Sequence, residues 1–127
     1  MPEAGRRDTR PGWLPLAACL AVVVHLVCLY LPGSSDGALE LPWLPGADKV
    51  VHLLLFAVPV YLLGRWSGRV VLVAGLFAVH AVASELVQWR WVPYRDGDVL
   101  DAAADLVGIG LAVWALRRPS GTGKEGS

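Results

Sequence analysis

The chain has 127 residues, 55% of them apolar, and its eleven Lys and Arg balance eleven Asp and Glu to a formal net charge of zero. A soluble domain this small would leave much of that apolar surface in water, so the composition points to lipid as the solvent. Zero net charge argues against nucleic acid as a partner, because phosphate binding needs a basic excess.

The first apolar run, Trp13 to Leu31, is long enough for a membrane helix, which needs about 20 mostly apolar residues. Arg6, Arg7 and Arg10 precede it, and Pro32-Gly33-Ser34-Ser35 breaks it. No small-residue cleavage site follows Leu31, so the run is expected to be an uncleaved helix rather than a secretory signal. Cys19 and Cys28 fall on opposite faces of it and read as apolar filler, not as a pair. His25, alone in this span, reads as a core histidine satisfied by a neighbouring helix. Residues 42–46, Pro-Trp-Leu-Pro-Gly, form a loop at the membrane interface that could cover a polar pocket beyond it.

Asp48, Lys49 and His52 open the second run, Val50 to Trp66, which carries Pro59 as a tolerable kink. The third, Val70 to Trp89, ends with Glu85 and Gln88. Its His80 lies about 140° from Glu85 in helical phase and reads as another core histidine. Ser84 is a poor nucleophile candidate, with no base in reach. Arg95 then leads through an Asp96-Gly97-Asp98 turn, with Asp98 a candidate N-cap, into the fourth run, Val99 to Leu116, which carries Asp101 and Asp105.

Charge sets the expected orientation. The flanks on one side hold Arg6, Arg7, Arg10, Arg65, Arg69, Arg117, Arg118 and Lys124, eight in all, against Lys49, Arg90 and Arg95 on the other. The positive-inside rule places the eight, and both termini, in the cytoplasm. Trp13, Trp66 and Trp114 then mark the inner interface, Trp89 and Trp91 the outer one, and Trp43 an outer loop. The expected fold is an all-α integral membrane protein, a four-transmembrane-helix bundle. It comprises a cytoplasmic segment 1–12, a membrane domain 13–116 and a disordered cytoplasmic tail 117–127.

In this orientation the polar residues converge. His52, Glu85 and Asp101 each fall about 8–10 Å outward of the midplane, and Asp105 about 4 Å. Ala74, Ala78, Ala81, Glu85 and Gln88 share one stripe, as do Asp101, Asp105, Gly108 and Ala112. Small residues on such stripes let membrane helices approach closely, which turns the carboxylates away from lipid. An outward-opening polar pocket between spans two, three and four is the result, unless the same groups only glue the helices together. Four carboxylates (Asp48, Glu85, Asp101, Asp105) face Lys49, Arg95 and a titratable His52, so some must be protonated, paired or held by a cation. A divalent metal on His52 and carboxylates is one option, although the spacing matches no familiar metal motif.

The segments DKVVHLLLFAVPVYLLG, SELVQW and YRDGDVLDAAADLVGIGLAVW resemble the VanZ-like family of small bacterial membrane proteins. The family pattern is D-K-x-x-H, then E-x-x-Q, then an arginine six residues before an aspartate. Asp48, Lys49, His52, Glu85, Gln88, Arg95 and Asp101 match it here. Asp105 stands where the family has asparagine, and Gly108 follows as the family's glycine. The resemblance covers roughly residues 45–115 and implies a multi-pass protein of the bacterial cytoplasmic membrane, with an accessory link to teicoplanin-type glycopeptide resistance. Three functions then compete: binding of an envelope lipid, cell-wall precursor or glycopeptide-related ligand at the outer leaflet; hydrolysis or group transfer on a lipid head group; and an ion path. The last is disfavoured by an inner half without matching polar residues. Cofactor, ligand and protein partner all stay open.

Overall fold

A computed structural model describes residues 9–32, 44–94 and 97–119. The described residues form four helices, α1 (Leu14–Tyr30), α2 (Ala47–Ser67), α3 (Val70–Trp91) and α4 (Val99–Arg117), and no strand. Helices α2, α3 and α4 are long and apolar enough to cross a membrane; α1, at 17 residues, is as apolar but shorter. The sequence places all four within a residue or two of these bounds at most ends, and starts α2 three residues late, at Val50 rather than Ala47. The extra turn at the start of α2 is the one that carries Asp48 and Lys49, which count as flank by hydropathy but continue the helix.

Polarity is distributed inside-out. Leu16 and Val79 are 74% and 72% exposed, whereas Asp105 and Ser84 are at 0%. In water an apolar exterior of this extent would aggregate; surrounded by lipid it is the expected surface. The apolar core is correspondingly small. It gathers Leu29 of α1, Phe56 and Val60 of α2, Val73 and Ala81 of α3, and Ile109 and Ala112 of α4.

The connections explain the order. Gly68 takes a left-handed φ of +71°, donates to the Gly64 carbonyl at 3.0 Å and turns the chain at once into α3. Arg10 donates to the Trp66 carbonyl in the last turn of α2, fixing the approach to α1 at that end. At the opposite end, Asp98 caps α4 by accepting from Leu100 N at 2.8 Å, as its position in the sequence implies.

Helices α2 and α4 start from the same end, and their seam is the most extensive in the bundle. Gly108 makes it possible: a Cβ there would stand 2.2 Å from the Leu53 carbonyl oxygen. That approach fixes the register of the two helices, so that Lys49 meets Asp101 and His52 meets Asp105.

Candidate functional site

The polar groups meet at the end of the bundle where α2 and α4 begin and α3 finishes. On α2, i and i+4 spacing puts Asp48 and His52 on one face, with Lys49 beside them. Asp101 and Asp105 repeat that spacing on α4. Lys49 Nζ has three donors, and three carboxylates accept them: Asp48 Oδ2 at 2.9 Å, Asp98 Oδ2 at 2.9 Å, and Asp101 Oδ1. Lys49 is therefore occupied by the protein's own acids.

One turn deeper, His52 lies between two more carboxylates. Its Nδ1 is 3.0 Å from Asp105 Oδ1 and its Nε2 3.5 Å from Asp101 Oδ2. Glu85 enters from α3. Its Oε2 accepts from Asp98 N at 2.9 Å, which ties the 97–98 segment to the last turns of α3. Gly97 permits that contact, since a Cβ there would come within 2.9 Å of the Glu85 carbonyl. Two oxygens in this cluster are buried without a hydrogen-bond partner, Glu85 Oε1 and Asp105 Oδ2.

Charge at the cluster is unbalanced. Among the described residues, Asp48, Glu85, Asp98, Asp101 and Asp105 face only Lys49 and a titratable His52. Asp98 lies outside the helices, where its hydrogen bond from Lys49 holds its carboxyl below the usual carboxylate range. Arg95, the remaining sequence-predicted cation, lies outside the described residues, as do Pro42 and Trp43 of the interfacial loop.

Six of the eight residues singled out by sequence therefore come together: Asp48, Lys49, His52, Glu85, Asp101 and Asp105. Gln88 does not join them. Its amide donates to the Leu29 carbonyl at 2.8 Å and so satisfies one of the open carbonyls at the end of α1. The groups bond one another across the helix seams, and two apolar grooves on the bundle surface are lined by other residues. One of those, about 590 Å³, runs along the outside of the α3–α4 seam, bounded by residues that include Leu86 and Leu106, the chain neighbours of Glu85 and Asp105.

Asp98 belongs to the cluster although its place in the sequence indicates only a capping role; an aspartate N-cap beside a lysine on an adjoining helix start is the signal that could have placed it. A second polar group was also not foreseen as a unit. His25 Nδ1 lies 2.7 Å from the Leu55 carbonyl, His25 Nε2 lies 3.1 Å from His80 Nδ1, and Tyr30 Oη lies 2.8 Å from His80 Nε2. Each histidine is satisfied by a neighbouring helix, as expected, but they satisfy each other. A carbonyl only accepts, so for two neutral rings the order is fixed: Tyr30 donates to His80, His80 to His25, and His25 to Leu55. Ser84 donates back to the Ala81 carbonyl at 3.1 Å and is fully buried, in line with its dismissal as a nucleophile. Cys19 and Cys28 are not joined by a disulfide.

Comparison of the chain with protein-family models, curated proteins and solved structures found no match.

Proposed function

We propose that this chain is a VanZ-like protein of the bacterial cell envelope that crosses the cytoplasmic membrane four times with both termini inside. Its cluster binds the polar head group of an envelope lipid, or of a glycopeptide-related ligand, at the outer leaflet. In that role it would act as an accessory factor in teicoplanin-type resistance. For α1, the stretch from Trp13 to Leu31 reaches about 28 Å against a hydrocarbon core of about 30 Å, enough to span with small adjustment.

The observation that carries the reading is the graded exposure of one connected cluster. Asp48 and Asp98 at its mouth have side chains 50% and 43% exposed, Asp101 15%, and Asp105 none. A ligand group entering from the outer interface meets successive carboxylates on three helices. The excess of carboxylates, with Lys49 already engaged, favours a ligand that presents an amine. The apolar groove along the α3–α4 seam offers an acyl chain a place at the same level.

The test is thermal unfolding of the detergent-purified protein with lipid-linked wall precursor, polyprenyl phosphate and teicoplanin, each amine-bearing ligand beside its N-acetylated form. Stabilisation by an amine-bearing ligand that is lost on acetylation, and lost in Asp101→Asn, is expected. No stabilisation by any of them would sink the reading.

One observation favours a second reading, a membrane-embedded hydrolase or transferase. His52 held between Asp101 and Asp105 has the arrangement of a general base oriented by a carboxylate. Turnover of an envelope lipid that disappears in His52→Gln would favour this reading over simple binding.

A further inference from the structure

The geometry points to a divalent metal site formed by His52 of α2, Glu85 of α3 and Asp105 of α4. It stands whether or not a lipid is the ligand of the cluster. One ligand atom from each residue can be chosen so that all lie within 4.8 Å of one another. Ligands about 2.1 Å from one ion stand about 3.0 Å apart when adjacent and about 4.2 Å when opposite, so any pair at the 4.8 Å limit must draw in by at least about half an ångström to share an ion.

Two independent features single out this trio from the acidic groups around it. The first is the pair of oxygens without partners. Glu85 and Asp105 are 8% and 0% exposed, yet Glu85 Oε1 and Asp105 Oδ2 accept no hydrogen bond. A buried carboxylate oxygen left bare is costly, and a cation placed among these atoms satisfies both at once. The second is the setting of the imidazole. His52 Nδ1 stands 3.0 Å from the Asp105 carboxylate, so the imidazole already borders a carboxylate of the trio. With Nδ1 on the metal, Nε2–H faces Asp101 Oδ2 at 3.5 Å, the outer carboxylate that commonly orients a metal-bound histidine.

The charges agree. Two carboxylates and a neutral imidazole carry −2, which a dication cancels within the low-dielectric interior. One nitrogen with two oxygens suits an ion of intermediate hardness, Zn²⁺ or Mn²⁺, better than Mg²⁺, which favours oxygen ligands and retains its water. Asp48, Asp98 and Lys49 remain outside the trio. Lys49 already neutralises part of the acidic mouth through which an ion would enter.

The test is titration of the chelator-treated, detergent-purified full chain with Zn²⁺, Mn²⁺ and Mg²⁺, followed by calorimetry and by thermal unfolding. Saturable binding of about one Zn²⁺ or Mn²⁺ per chain is expected, with Mg²⁺ at least tenfold weaker. Glu85→Gln and Asp105→Asn should each weaken Zn²⁺ or Mn²⁺ binding tenfold or more, and Gly110→Ala, which adds a methyl into open space, should leave it unchanged. No binding by wild type, or equal binding by Glu85→Gln and Asp105→Asn, overturns the site. Should those variants fail to fold, the electron paramagnetic resonance spectrum of Mn²⁺ on wild type decides: coupling to one imidazole nitrogen supports it, and an all-oxygen shell overturns it.

Discussion

His25 donates from Nδ1 to the carbonyl of Leu55 across 2.7 Å, and Leu55 is the residue four positions before Pro59. The two facts are linked. A proline inside a helix has no N–H and cannot bond the carbonyl one turn back, which here is that of Leu55. In lipid no water replaces the missing donor, so a side chain from a neighbouring helix must. His25 of α1 does so, and the chain His25–His80–Tyr30 extends the same bond into α3 and back to the end of α1.

His25→Leu and Pro59→Ala should therefore be coupled. His25→Leu alone strands the Leu55 carbonyl and His80 Nδ1 and should cost about 1–3 kcal/mol. In a Pro59→Ala background the alanine N–H reclaims the Leu55 carbonyl, so the same His25 change should cost about 1 kcal/mol less. A double-mutant cycle on detergent unfolding measures the difference. Strict additivity of the two changes would contradict the link.

The α2–α4 seam gives a sharper steric prediction. Gly108→Ala places a methyl 2.2 Å from the Leu53 carbonyl, backbone that can yield only by parting the helices. Overpacking of this kind costs about 1–3 kcal/mol or more. Gly110, two residues on, has nothing within 4 Å of a Cβ, so Gly110→Ala should be neutral or stabilise by up to about 1 kcal/mol. Unfolding of the pair in parallel checks it; equal effects would show that Gly108 is not the point of closest approach.

At the mouth of the cluster the prediction concerns pH. Asp98 is held below its ordinary value of 3.8, first by its hydrogen bond from Lys49 and then by that from Leu100 N. Because the folded value is depressed, the stability this group contributes is present above the unfolded value and is lost as pH falls through the folded one. Lys49→Met should therefore move the Asp98 titration upward toward 3.8, read from its side-chain carboxyl ¹³C shift. A titration that stays depressed in the variant would assign the effect to the N-cap bond instead.

How far the sequence could see depends on the kind of relation. Helix extents and the packing face of α4 follow from hydropathy and from the Asp101, Asp105, Gly108, Ala112 stripe, because each is written within one helix. Which neighbour a residue meets is not. Glu85 and Gln88 are three residues apart, about 60° in phase, and on α3 that interval separates the seam to α4 from the seam to α1. A single sequence shows both on a buried face and cannot say that two seams lie on it. His25 and His80 belong to different helices with no shared periodicity, and only Pro59 hinted that one of them had a bond to make. Asp98 was legible as a cap, and its second bond, to Lys49, needed the α2–α4 register that Gly108 sets.

Gln88 separates a tether from a site residue. The α1–α3 seam is the slightest in the bundle, so few bonds hold those helices together beyond Gln88 to Leu29 and the His25–His80–Tyr30 chain. Gln88→Leu removes the donor and leaves the Leu29 carbonyl buried, a loss of about 1–3 kcal/mol. The substituted side chain faces α1, not His52, Glu85 or Asp105, so Mn²⁺ binding by the folded variant should match wild type while its unfolding temperature drops. Glu85→Gln should show the reverse pattern, binding lost out of proportion to stability. If Gln88→Leu lost metal binding in step with Glu85→Gln, the two residues would act as one unit despite facing different helices. The E-x-x-Q pair would then have to be read as a single element of the site.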